Sequence, residues 1–232
     1  MSEPQPLTGG RQTAGVVRIG DTVRRPRHAR SDDIVQLLTE LRARGFDGAP
    51  EVVAANDSGD LVLRYIDGEG PPVSPFRLNE TAARSVASLV RRFHDAAATC
   101  TLAAGSETVA HGDLGPHNIV FRDGLAVAII DWDEGVRGGS RADDFAHAVW
   151  CTADLVERDV PLEQQATLLH AMCAEYGDIP PQLVLDELAA RFDRAIAQHG
   201  GAGRTKAAQI FAETAAALAR TRERLLARPD PS

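Results

Sequence analysis

The chain has 232 residues, 44% of them hydrophobic and 25% charged, enough for one large domain or two small lobes around a buried core. Its net charge of −8 argues against a nucleic-acid partner, whose phosphates attract a basic surface. There is no apolar run of about 18 residues for a membrane span. The N-terminus also lacks a basic-then-apolar leader, so a cytoplasmic protein without a membrane partner is expected.

In chain order, the first ten residues carry no periodic pattern and are expected to be flexible. "AGVVRIGDTVRRP" reads as two short strands around a Gly20-Asp21 turn, ended by Pro26. "SDDIVQLLTELRARGF" places Ile34, Leu37, Leu38 and Leu41 at helical spacing, with Ser31 as N-cap and Gly45 as stop. "APEVVAAN" and "DLVLRYID" are strand-like on either side of the turn "NDSG". The Gly- and Pro-rich "GEGPPVSP" makes a seam between two lobes, residues 1–68 and 69–232. Beyond it, Val86, Leu89, Val90 and Phe93 mark an amphipathic helix, and from Arg141 onward helices dominate. The expected architecture is α+β: a small mixed-sheet lobe followed by a mainly helical lobe that holds one hairpin.

That hairpin lies in "HGDLGPHNIVFRDGLAVAIIDWDEG", residues 111–135, where "NIVF" and "LAVAII" flank an Asp-Gly turn. Hairpin pairing brings Asn118, at the start of the first strand, and Asp131, at the end of the second, to one end beside Asp113. An amide oxygen and a carboxylate there suit Mg²⁺, which takes few protein oxygens and completes its shell with phosphate and water. A separate carboxylate can take the proton of an attacking hydroxyl. The three cysteines, Cys100, Cys151 and Cys173, lack metal-ligand spacing and are read as reduced thiols. The histidines His94 and His117 are read as surface and loop residues. The acidic residues of "CAEYGDIPPQLVLDELAARFDRA" are read as a solvated helix face.

"HGDLGPHNIVF" followed by "IIDWD" resembles the catalytic core of the aminoglycoside phosphotransferase and choline kinase-like family, relatives of protein kinases. "SRADDFAHAVW" resembles that family's next motif, and the preceding β-β-α-β-β order resembles a kinase N-lobe. The resemblance implies a two-lobed protein kinase-like fold. It also implies transfer of a phosphoryl group from ATP or GTP, with Mg²⁺, to a hydroxyl of a small molecule. Asp113 would be the catalytic base, and Asn118 and Asp131 the metal ligands. Asp133 would touch a second metal or the acceptor, while His111 and Asp144 would support the loop. Backbone groups of Tyr65, Ile66 and Asp67 would bind the nucleotide base.

The family's strand lysine, which holds the nucleotide phosphates, has no counterpart, because Lys206 is the chain's only lysine. "TVRRP" offers Arg25 or Arg24 instead, and strand alternation puts them on opposite faces, with Arg25 preferred. Asp32, Asp33 and Glu40 are candidate acidic partners for that cation. "TGGRQTAG" is a degenerate phosphate loop with Gly9, Gly10 and Gly15. The alternative is a kinase-like protein that has lost catalysis and binds a nucleotide or ligand.

Overall fold

A computed structural model describes residues 3–6, 15–55, 59–70 and 78–227. Two strands, β2 (Val17–Ile19) and β3 (Thr22–Arg25), pair as a hairpin across Gly20-Asp21, with Ile19 opposite Thr22. They continue through β5 (Leu61–Arg64) to β4 (Val52–Ala55), and a two-residue strand, β1 (Gln5–Pro6), adds to the other edge, giving the order β1-β2-β3-β5-β4. Part of the N-terminus expected to be flexible is therefore paired, Gln5 with Arg18 and Pro6 with Val17. Most of the phosphate-loop stretch and the segments 56–58 and 71–77 lie outside the described residues.

Helix α1 (Ser31–Ala43) buries Ile34, Leu37, Leu38 and Leu41, the four residues whose spacing predicts it. Its cap differs from expectation. Arg30, not Ser31, holds the N-cap position, and the Ser31 hydroxyl instead accepts the His28 N–H at 2.8 Å. Ser31 thus closes the turn before the helix rather than its first turn.

The second lobe opens with α2 (Glu80–Ala97), capped by the Asn79 side chain accepting the Ala82 N–H at 2.8 Å. Its apolar stripe meets the hairpin of β7 (Ile119–Arg122) and β8 (Leu125–Ile129), and the Ser85 hydroxyl accepts the Ala126 N–H. Asp123 (φ 51°) and Gly124 (φ 76°) form the hairpin turn, as an Asp-Gly pair with both φ positive does. A second small ladder pairs β6 (Thr108–Ala110) with β9 (Arg137–Gly139). At three residues each, two of β9's being glycine, these strands have too little pattern to be read from sequence. Four helices complete the lobe: α3 (Arg141–Thr152), α4 (Leu162–Tyr176), α5 (Pro181–Gly201) and α6 (Thr205–Leu226). None of the helices among the described residues is long and apolar enough to cross a membrane. Cys100, Cys151 and Cys173 are free thiols.

Candidate active site

The loop between β6 and β7 carries His111, Gly112 and Asp113, and its backbone is held from several sides. Asp144, one turn into α3 and 1% exposed, accepts the N–H of His111 on Oδ2 and that of Gly112 on Oδ1, both at 2.8 Å. His94 of α2 adds its Nε2 to Asp144 Oδ2 at 3.2 Å and its Nδ1 to the Tyr176 hydroxyl at 2.8 Å. Burial works to raise the Asp144 carboxyl. The His94 hydrogen bond and the His111 N–H outweigh it and pull the group down to about 2. Arg191 of α5 donates to the Gly112 carbonyl at 2.8 Å and to Asp143 at 3.2 Å.

Glycine is required here for two reasons. Gly112 has φ +84°, and a Cβ on Gly135 would lie 2.2 Å from the Ala110 carbonyl oxygen. His111 is fully buried against Trp132, with ring centroids 4.7 Å apart. Its Nε2 donates to the Ile130 carbonyl at 3.1 Å and its Nδ1 accepts the Asp113 N–H at 3.3 Å, so the ring spans the loop and the end of β8. Burial lowers its pKa and keeps it neutral.

Asp113 is half-buried. The hydrogen bond from His117 to its Oδ2, at 3.2 Å, is the main reason its carboxyl is held down to about 2. Asn118 Nδ2 donates to the Asp113 carbonyl at 2.9 Å and to Asp113 Oδ2 at 3.0 Å. Both partners are acceptors, so the amide nitrogen must face them and Oδ1 must face away. The Ile130 N–H donates to the Asn118 carbonyl at 2.8 Å, which sets Asn118 and Asp131 at the same end of the hairpin. Asp131 has φ 61°, a conformation L residues adopt at a cost and often at functional positions. Burial first and the neighbouring Asp133 second raise its pKa, so a cation near it would relieve both effects. An amide oxygen and a strained, partly desolvated carboxylate on one hairpin end are a donor set that fits Mg²⁺.

Across the cleft, alternation along β3 leaves Arg24 exposed and turns Arg25, 6% exposed, inward. Arg25 pairs with Asp133 and lies 3.9 Å from Asp131. His28 Nε2 is 3.2 Å from the other Asp133 oxygen. Asp133 therefore faces the N-lobe cation, whereas the helix acids are engaged elsewhere: Asp32 pairs with Arg27, and Glu40 accepts the Thr101 N–H. Arg30 donates to the carbonyls of Asp133 and Glu134 at 3.0 and 2.7 Å. In the segment after β5, the Tyr65 N–H is committed to the Asp21 carbonyl and the Asp67 carbonyl accepts Arg122, both at 2.8 Å.

Three histidines at the site escape a reading by residue type. His94 is fully buried, not a surface residue. Its position on the stripe Ala83-Ala87-Val90-His94-Ala97 was a legible signal of that. His117 Nε2 hydrogen-bonds the Asp113 carboxylate. His147 of α3 faces the same carboxylate, its Nε2 3.8 Å from Asp113 Oδ1. Three of the acids read as a solvated face are ion-paired at the surface, Glu175 with Arg84, Asp178 with Arg91 and Asp186 with Arg222.

The profile of the phosphotransferase enzyme family matches residues 98–188, the segment that carries this loop, hairpin and helix. A trifolitoxin immunity protein from Rhizobium leguminosarum bv. trifolii is 37% identical over 171 residues, 66% of this chain and 64% of that one. The chain thus matches less than two thirds of that relative's length. Among solved structures, the GDP complex of aminoglycoside 2'-phosphotransferase-IIIa superposes with a TM-score of 0.61 at 12% identity, covering 95% of this chain and 93% of the other. A choline/ethanolamine kinase family protein from Mesorhizobium loti gives 0.55 at 16% identity, covering 91% and 92%. Residues 98–188 thus resemble the phosphotransferase enzyme family, and the chain has the two-lobed, protein kinase-like fold of the solved structures it superposes on.

Proposed function

We propose that the protein transfers the γ-phosphoryl group of ATP or GTP to a hydroxyl of a small molecule, with Mg²⁺. The observation that carries this reading is the division of labour at one hairpin end. Asp113 is an ionised carboxylate on the loop, Asn118 gives it the amide nitrogen and so turns Oδ1 away from it, and Asp131 lies 3.9 Å from Arg25. Asn118 Oδ1 and Asp131 would hold the metal, whose charge offsets that of the phosphates. Asp113 orients the acceptor hydroxyl and takes its proton as the oxygen–phosphorus bond forms and the bond to the β-phosphate bridge breaks. Arg25, freed from Asp133, would steady the phosphate tail through its forked donors. Backbone groups of the 65–67 segment would read the base, and Asp133 would be available to a second metal or to the acceptor.

The acceptor class rests on similarity. Neighbours named for aminoglycosides and a relative named for toxin immunity point to an antimicrobial compound carrying hydroxyls. The immunity name also supports a second reading, a protein that protects by binding its ligand without turnover. The test is nucleotide turnover with Mg²⁺ across a panel of hydroxylated antibiotics, sugars and amino alcohols. Asp113→Ala is expected to lower acceptor-dependent turnover by about 10²–10⁴-fold with nucleotide affinity unchanged. Nucleotide or acceptor binding without turnover in the wild type would favour the second reading.

A further inference from the structure

Helix α3 presents Asp144, His147 and Cys151 at i, i+3 and i+7, so a single face runs beneath the catalytic loop. Asp144 fixes the loop backbone, and His147 stands one turn further on, facing the carboxylate itself. Its side chain is 9% exposed, with Nε2 3.8 Å from Asp113 Oδ1 and 3.6 Å from Cys151 Sγ.

The two oxygens of Asp113 are not equivalent. Oδ2 is occupied by Asn118 Nδ2 and His117 Nε2. Oδ1 faces His147 across a gap too long for a hydrogen bond, yet wide enough for a hydroxyl oxygen at ordinary hydrogen-bond distance from both. The proton of His147 can be assigned. Nδ1 is buried with no partner among the described residues, and a proton there would be a donor without an acceptor. The proton belongs on Nε2, where the Asp113 charge and the Cys151 sulfur lie. Burial holds the ring neutral, its pKa lowered to about 3, so it is an uncharged donor.

We propose that His147 Nε2 and Asp113 Oδ1 form the fork that seats the acceptor hydroxyl. The hydroxyl gives its hydrogen to Oδ1 and accepts one hydrogen bond from Nε2–H, which leaves one lone pair to attack phosphorus. The new oxygen–phosphorus bond replaces the bond to the β-phosphate bridge, and the proton ends on Asp113. A protonated amine has no lone pair for Nε2–H, so the fork selects a hydroxyl over an ammonium group at the reacting position. The inference rests on the phosphotransferase reading above.

The test uses His147→Phe, which keeps a ring beside Trp150 but removes both nitrogens, and His147→Gln, whose amide can restore the donor. Turnover of Mg·ATP and Mg·GTP is measured with the hydroxylated panel and with water as acceptor, together with nucleotide Kd and melting temperature. We expect His147→Phe to lower acceptor kcat/KM about 100-fold at unchanged nucleotide Kd, and His147→Gln to recover to within about tenfold of wild type. If the Phe variant does not fold, His147→Met provides the donor-free comparison. A folded donor-free variant within about threefold of wild type overturns the fork and leaves the phosphotransferase reading standing. A wild type that turns over neither nucleotide, with any acceptor or water, overturns both.

Discussion

At Arg25 and Arg24 the strand's two-residue period places adjacent residues of one charge in opposite media. Arg25 is buried at the cleft against Asp133 and Asp131, and Arg24 is exposed. Arg25→Ala is expected to weaken Mg-nucleotide binding by about 10–100-fold, the range of a lost charge-assisted hydrogen bond. Arg24→Ala should leave it within about twofold, as surface substitutions away from special features do. Titration calorimetry with Mg·ATP and Mg·GTP checks both, and equal effects would refute the assignment. That the two arginines face opposite sides was legible from alternation. Its partner was not, since Asp133 lies 108 positions away and only the lobe arrangement brings it near.

At the scale of elements, α3 works as a brace for the loop. Asp144 is fully buried and held down to about 2, below the ordinary 3.8, so its contribution to stability is complete above about pH 4. It should fade as pH falls through about 2, when the carboxylate that accepts the His111 and Gly112 N–H groups is protonated. Its size is roughly 2 kcal/mol, the free-energy equivalent of that shift. Thermal melts from pH 7 to pH 2 should show this acid limb in the wild type. Asp144→Asn should start less stable at pH 7 and lose less below pH 4. Equal slopes would show that the acid limb arises elsewhere. The motif marks Asp144 as loop support, but its link through His94 to Tyr176 crosses three helices and no local pattern records it.

At the scale of the whole molecule, the lobes meet where residues 25–30 lie over residues 131–135. Arg30 holds two carbonyls of the segment that follows Asp131, so the N-lobe helps place that segment. Arg30→Ala is expected to cost about 1 kcal/mol and lower the melting temperature by about 2–4 °C. It should also raise the KM for nucleotide while leaving that for acceptor unchanged, which scanning fluorimetry and steady-state kinetics would read. Unchanged melting and nucleotide KM would dismiss this role.

What the sequence by itself determined was local: two-residue and 3.6-residue periods, the Asp-Gly turn, and the placing of Asn118 and Asp131 at one end of the hairpin. The tertiary structure alone decided which groups meet across the cleft and which oxygen of Asp113 stays open. Arg25 with Asp133, and His147 with Asp113, are joined by packing of whole elements, and such contacts leave no periodic trace along the chain.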